Sequence, residues 1–63
     1  MMELYQDING EQVYCIQLTG PTILNTVEGE KCAEETDWMV LLPNGKCAVV
    51  KNETFVQGFT KVE

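Results

Sequence analysis

The sequence predicts a mainly β, small α+β protein: a compact antiparallel sheet or partly closed barrel with one short helix near residues 52–58. Short runs of β-branched and aromatic residues alternate with turns rich in Gly, Asn and Pro, which is typical of such folds. The clearest example is residues 36–50, where two apolar runs flank Pro43-Asn44-Gly45. A chain of 63 residues has room for one domain, which we assign to residues 1–63.

The first predicted elements are a turn and a strand. In "YQDINGEQ", Asp7, Asn9 and Gly10 favour a tight turn, because Asp7 and Asn9 supply the side chains and Gly10 the permissive backbone that such turns need. "EQVYCIQLTG" favours a strand, which Gly20-Pro21 ends because proline cannot donate to a strand ladder. Alternation along the strand predicts two faces, one with Tyr14, Ile16 and Leu18 and the other with Val13, Cys15, Gln17 and Thr19.

The middle of the chain favours extended structure. In "TILNTVEGEK", Thr22 is a candidate helix cap, but the β-branched residues argue for a strand. Glu28-Gly29-Glu30 favours a turn, and "KCAEE" a short strand. The apolar run of residues 38–42 predicts a strand that is buried on both faces.

Asn44-Gly45 is the strongest local signal, because both residues accept positive φ at the central positions of a hairpin turn. "KCAVV" then returns as an antiparallel strand. Asn52 is a candidate N-cap of the short helix, and Gly58 is suited to end it. Phe55 and Phe59 fall on one helical face, and "FTKVE" can add a terminal strand.

The hydrophobic core of a 63-residue chain is small, and such a core usually needs reinforcement by disulfides, a metal or oligomerisation. The three cysteines, Cys15, Cys32 and Cys47, cannot all pair, and their strand-like surroundings favour packing in the core. Neither their spacing nor the absence of histidine fits a common metal site, so we expect no metal. We therefore favour a homo-oligomer, in which a second copy buries a hydrophobic face.

Ten acidic residues against four lysines give a net charge of −6. DNA, RNA and anionic membranes are poor partners for such a chain, whereas basic protein surfaces complement it. No basic and apolar leader follows Met1, and the longest apolar run is too short to span a membrane. We expect a cytoplasmic protein with reduced thiols.

No catalytic constellation is visible, so we expect no enzyme. Without histidine the usual general base near neutral pH is missing. Lys31 and Lys46 adjoin Cys32 and Cys47, but adjacent strand residues point to opposite faces and cannot activate each other. No glycine-rich phosphate loop is present, and we expect no cofactor.

The candidate ligand-binding residues are aromatic, polar and basic. Trp38 and Tyr14 are either core residues or platforms on which a planar ligand stacks. Gln17 and Thr19 are either a solvated face or hydrogen-bonding groups for a ligand. Lys46 and Lys51 supply positive charge beside the second hairpin strand, although such lysines usually keep a sheet edge soluble.

"EQVYCIQLTG" resembles a V-x-A-x-Q-aromatic-T-G segment near the start of many small hypothetical proteins of phages and prophages. Residues 26–63 resemble their C-terminal half, with an E-G turn, a G-D-(Y/W) strand, a G-centred hairpin and a Val-Glu end. The matching positions are Val13, Gln17, Thr19, Gly20, Glu28, Gly29, Asp37, Trp38, Val40, Gly45, Phe55, Phe59, Val62 and Glu63.

Four features depart from this family pattern. Thr36 replaces Gly, Leu18 replaces an aromatic residue, and Phe59 replaces Tyr. The connection at residues 21–26 is shorter than in many relatives, so a site built on it would be reduced. The resemblance implies a phage-encoded accessory protein that acts inside the bacterial cell.

Two binding functions follow from that implication. The first is sequestration of a cyclic nucleotide signal of antiphage defence in pockets of a homo-oligomer, which needs no catalytic residue. Bases would stack on Trp38 or Tyr14 and phosphates would meet Lys46, Lys51 or backbone N–H groups. The alternative is an acidic inhibitor of a host enzyme or defence protein with a basic surface, which the charge favours. A structural accessory domain without a ligand is the third possibility.

Overall fold

The computed structural model describes residues 2–62, and within them the chain forms seven strands and one helix. Glu63, part of the family resemblance, lies outside the described residues. The elements are β1 (Glu3–Asp7), β2 (Gln12–Gln17), β3 (Thr22–Thr26), β4 (Gly29–Ala33), β5 (Trp38–Leu41), β6 (Cys47–Val50), α1 (Asn52–Gly58) and β7 (Phe59–Lys61).

All the strands belong to one open sheet with the order β4-β3-β6-β5-β2-β1-β7. Neighbouring strands of the sheet run antiparallel, except that β3 and β6 run parallel. These two strands are paired at a single position, Thr26 with Cys47. The predicted mainly β class with one short helix is therefore confirmed. The sheet does not close into a barrel, because β4 and β7 are its two edges.

The turn between β1 and β2 is built by one carboxylate and one glycine. Asp7 Oδ1 accepts the backbone N–H groups of Asn9 and Glu11, both at 2.9 Å. The Asp7 carbonyl accepts the Gly10 N–H at 3.0 Å, and Gly10 has a φ of +84°. A side chain would be strained at that φ, so the predicted turn residues each have a defined role.

The turn between β5 and β6 uses the same hydrogen bonds but differs from the prediction. The Gly45 N–H donates to the Leu42 carbonyl at 3.0 Å, and the Leu42 N–H donates to the Lys46 carbonyl at 2.8 Å. Gly45 has a φ of +84°, whereas Asn44 does not adopt a positive φ. The expectation of positive φ at both positions is wrong, because a three-residue loop combines an ordinary turn with one left-handed residue.

The β3–β4 hairpin forms where extended structure was expected. β4 begins at Gly29, so the turn lies one residue earlier than predicted, at residues 27–28. The buried Thr26 hydroxyl closes it by donating to the Gly29 carbonyl at 2.7 Å. Lys31 forms an ion pair with Glu28 across the turn and lowers the pKa of that carboxyl through a hydrogen bond and its charge.

The registers divide the central strands into two faces. The side that α1 covers, called the helix face, contains the buried Val13, Cys15 and Val40, and they pack with Phe55. The opposite side is called the open face. Its apolar residues are Leu4, Tyr14, Ile16, Met39, Leu41, Cys47 and Val49, of which Cys47 is buried and only Tyr14 and Leu41 are exposed. β5 is therefore not buried on both faces, since Leu41 is 38% exposed.

Phe55 occupies the centre of the helix face. Its ring stacks on Trp38 at a centroid distance of 3.8 Å and on Phe59 at 4.5 Å. Tyr5 meets the Phe55 ring edge-on at 5.0 Å. Phe55 is only 2% exposed, and the stack joins α1 to β1, β5 and β7. The helix ends at Gly58 as predicted, and Phe59 begins the terminal strand.

The cysteines are free thiols with different surroundings. Cys15 and Cys47 are buried, as expected, and burial raises the pKa of the Cys15 thiol to about 11. Cys32 is exposed on the edge strand β4, so the expectation of core packing is wrong there. The reason is that β4 has a neighbour on one side only and that Cys32 faces away from the side on which Ala33 is buried.

The seven-residue α1 is too short to cross a membrane, and the part of the chain that the structure describes contains no helix that could do so.

Replacement of Phe55 by alanine is expected to unfold the protein. Loss of a buried phenylalanine costs about 3–5 kcal/mol, which is comparable with the roughly 3–5 kcal/mol that so small a core supplies. Far-UV circular dichroism and urea unfolding measure the effect. Val56→Ala is the matched control, because Val56 is the next residue of α1 and is 62% exposed. A Phe55→Ala variant as stable as Val56→Ala would contradict the central role of the stack.

Candidate functional site

One end of the sheet brings together the loop before β5 and the start of α1. The register pairs Trp38, the first residue of β5, with Gln17 on one side and with Val50 on the other. Asp37 precedes Trp38 and Lys51 follows Val50, so the two charged side chains meet at this end. The antiparallel pairing of β5 with its two neighbours therefore builds the site.

Asn52 connects three parts of this end. Its Oδ1 accepts the Trp38 indole N–H at 2.9 Å and the Gln17 Nε2 amide at 3.2 Å. Gln17 Nε2 also donates to the Thr36 carbonyl at 3.1 Å. Asn52 is therefore not the N-cap that was expected: that position belongs to Lys51, which makes no side-chain cap hydrogen bond. The reason is that Asn52 Oδ1 accepts hydrogen bonds from Gln17 of β2 and Trp38 of β5 instead of from the backbone N–H groups of the helix.

Asp37 is the buried charge of the site, with 4% exposure. Its Oδ2 accepts the Glu34 backbone N–H at 3.0 Å and pairs with Lys51 Nζ at 3.2 Å. The Glu34 hydrogen bond and, less strongly, Lys51 lower the pKa of the Asp37 carboxyl below its ordinary value, although burial opposes them. The carboxylate therefore holds both the loop and the residue before α1.

Thr36 adopts an unusual backbone conformation, with a φ of +77°. This left-handed region favours glycine and is strained for a β-branched residue. The Thr36 N–H donates to the Leu18 carbonyl at 3.0 Å while its own carbonyl binds Gln17, so hydrogen bonds on both sides hold the residue there. Thr36 thus occupies a backbone position where glycine fits better.

An open cleft of about 360 Å³ lies at this end and is called the polar cleft. It is lined by Glu34, Glu35, Thr36, Asp37, Lys51, Asn52 and Glu53. Four carboxylates and one ammonium group give this lining a formal charge of −3. Glu34, Glu35 and Glu53 are exposed, so theirs are the carboxylates that a ligand would meet first.

The structure gathers three of the six candidate ligand-binding residues at the polar cleft. Gln17 and Trp38 reach it through Asn52, and Lys51 is part of its lining. Thr19 lies in an exposed loop, since β2 ends at Gln17 and the predicted strand face does not extend to Thr19.

The other two candidates lie elsewhere. Tyr14 is on the open face, and Lys46 is in the turn at the opposite end of the β5–β6 hairpin. Sequence reasoning missed Asp37 and Glu53 as members of a site. The run "EETD" immediately before β5 is the signal that could have identified Asp37, whereas no such signal marks Glu53.

The chemistry that the polar cleft offers is ionic. Its carboxylates can accept hydrogen bonds from ammonium or guanidinium groups. Within residues 2–62, no group of three or more His, Cys, Asp or Glu side chains is placed to hold a metal ion. A second open cavity of about 370 Å³ at the β1–β7 edge is lined by Gln6, Asp7, Thr60, Lys61 and Val62, and it carries one charge of each sign.

No family model, no curated protein and no solved structure matches this chain.

Thr36→Gly is expected to stabilise the protein by about 1 kcal/mol. Glycine relieves roughly 1–3 kcal/mol of strain at positive φ and costs about 0.5–1 kcal/mol in backbone entropy. Thermal unfolding should show a midpoint higher by about 5 °C. The control is Thr54→Gly in the exposed part of α1, which should destabilise by about 1 kcal/mol. A Thr36→Gly variant that is less stable than the wild type would show that Thr36 is not strained.

Asp37→Asn is expected to change how stability depends on pH. A carboxyl whose pKa is lowered in the folded state stabilises it above the unfolded pKa of about 3.9, and this contribution is lost as the pH falls through the lower folded value. The wild type should therefore be more stable than Asp37→Asn at pH 7, and the difference should vanish in strong acid. Urea unfolding between pH 7 and pH 2 measures it. Glu53→Gln is the control, and a difference for Asp37→Asn that is independent of pH would contradict the expectation.

Proposed function

We propose that this chain is a non-catalytic binding protein whose polar cleft recognises a lysine- or arginine-rich surface of another protein. The observation that carries the proposal is the charge of the cleft, where four carboxylates face one ammonium group. That ammonium group, on Lys51, is already paired with Asp37. The three exposed glutamates are therefore the groups that remain for a partner.

The position of these glutamates suits a docking surface. Glu34 and Glu35 lie on the loop before β5, and Glu53 lies in the first turn of α1. Both elements are held by Asp37, which binds the Glu34 backbone and Lys51. Carboxylates on a braced loop can receive guanidinium groups in paired hydrogen bonds. Because these charges are exposed, we expect them to steer association and to make it sensitive to salt.

The same geometry favours the protein-directed alternative over sequestration of a cyclic nucleotide. Phosphate groups would be repelled by the cleft carboxylates. One face of the Trp38 ring is stacked on Phe55, and its indole N–H is bound to Asn52. The candidate groups Tyr14 and Lys46 are remote from Trp38, and Lys51 near it is paired with Asp37, so a single copy does not offer an unpaired cation beside the Trp38 ring.

The phage resemblance supplies the biological setting of the proposal. It would place the protein in the cytoplasm of an infected bacterium, where it would block a host enzyme or a protein of antiphage defence. A basic surface, such as one that otherwise binds nucleic acid, is the class of target that the cleft would fit. Inhibition by such a protein would need no catalytic group.

The test is a pull-down from bacterial lysate, followed by titration of the captured protein. The Glu34→Lys/Glu35→Lys variant should bind the captured partner at least tenfold more weakly than the wild type. Binding by the wild type should itself weaken strongly between about 0.1 M and 0.5 M salt. The matched control is Glu11→Lys/Glu30→Lys, which changes the net charge equally at exposed positions outside the cleft.

Three outcomes would overturn the proposal. Equal loss of binding in the cleft variant and in the control would assign the effect to net charge and remove the cleft from the interaction. Retention of a cyclic di- or trinucleotide by the wild type in native mass spectrometry, together with no captured protein, would favour sequestration. Capture that is unaffected by either variant would show that another surface binds the partner.

A further inference from the structure

We infer that the open face is the interface of a symmetric homodimer in which Tyr14 lies on the two-fold axis. On β1, β2, β5, β6 and β7 the open face is the side that α1 does not cover, and Tyr14 and Leu41 on it are 53% and 38% exposed. This inference is independent of the polar cleft, because it concerns residues that do not line the cleft.

The first argument is the distribution of charge. The charged side chains on the described strands β1, β2, β5, β6 and β7 are Glu3, Asp7 and Lys61, and register places all of them on the helix face. The polar residues on the open face of these strands are neutral, namely Gln6, Gln12 and Thr60. A face of five strands without charge is unusual in a chain that has ten acidic residues and four lysines.

The charge pattern identifies the occupant. A basic partner gains nothing from a neutral face and is attracted to the acidic surface instead. A second copy carries the same charge of −6 and is repelled wherever carboxylates meet. Contact between two copies is therefore least unfavourable on the face without charges. The apolar residues on that face then supply the attraction.

The second argument is that the face is self-complementary. Register sets Leu4 directly beside Tyr14 on one side and Leu41 directly beside it on the other. Neighbouring strands are about 4.8 Å apart, so the two leucines lie at equal distances from Tyr14. A two-fold axis between two facing sheets, running along β2, places each Leu4 against Leu41 of the other copy. The two Tyr14 rings then meet at the centre, as an isologous interface requires.

The size of the face sets the expected affinity. The dimensions of 28 × 23 × 20 Å limit any one face to roughly 600 Å² in projection. Specific interfaces bury from about 600 Å² per partner upward, so a dimer through this face would stand at the lower limit of that range and would not be an obligate one. We therefore expect dissociation in the micromolar range.

Sedimentation equilibrium from about 1 µM to about 1 mM protein tests the interface. The wild type should dimerise, and Tyr14→Lys should raise the dissociation constant at least thirtyfold, because two like charges would meet on the axis. Val56→Lys is the matched control: Val56 is an apolar residue of α1 with 62% exposure, and its replacement should leave the constant within about twofold. Far-UV circular dichroism verifies folding, and Tyr14→Gln replaces Tyr14→Lys if the latter does not fold.

Mixing two variants tests the axis itself. Tyr14→Glu should be monomeric like Tyr14→Lys, but an equimolar mixture of the two should dimerise again because opposite charges then meet. A wild type that is monomeric over the whole range would overturn the inference, as would a dimer that tolerates both variants. Two monomeric variants that fail to dimerise in the mixture would exclude Tyr14 from the axis. A monomer that instead binds neutral phosphatidylcholine vesicles would assign the face to a lipid surface.

Discussion

The stack of Trp38, Phe55 and Phe59 is the interaction on which the rest of the structure depends. Phe55 is the only member supplied by α1, and its ring lies between those of β5 and β7. Insertion of this ring fixes the helix on the sheet and sets where the chain re-enters the sheet as β7. It also brings Asn52, three residues before Phe55, to the indole of Trp38. A core this small therefore stabilises both the fold and the geometry of the candidate site.

The two sides of the protein differ in chemistry. At the start of β5, loop and helix residues form a cleft with a formal charge of −3, where exposed carboxylates surround the ion pair of the buried Asp37 with the exposed Lys51. The open face carries no charged side chain on β1, β2, β5, β6 and β7 and is apolar around Tyr14. In the two proposals each surface has its own kind of partner: charge would attract a basic protein to the cleft, and hydrophobic contact would join two copies at the open face. A dimer formed in this way would present two clefts.

Thr36 and Asp37 show how the site departs from what stability alone would select. A β-branched residue at positive φ is strained, and a buried carboxylate needs compensation. Hydrogen bonds to Leu18, Gln17 and Glu34 provide it and immobilise the loop. Strain of this kind often occurs where function constrains the backbone. The exposed glutamates beside it are then carried on a loop that is already ordered before any partner binds.

The sequence alone determined the features that arise from local physics: the β class, the two Asn-Gly turns, the assignment of Val13 and Cys15 to one strand face, and the end of the helix at Gly58. Side-chain alternation and turn chemistry act over a few residues and need no knowledge of neighbouring strands. Only the tertiary structure decided that Lys51 meets Asp37, that Asn52 binds Trp38 instead of capping the helix, and that Cys32 is exposed. Each of these depends on which strands become neighbours and which become edges, and long-range pairing sets that order.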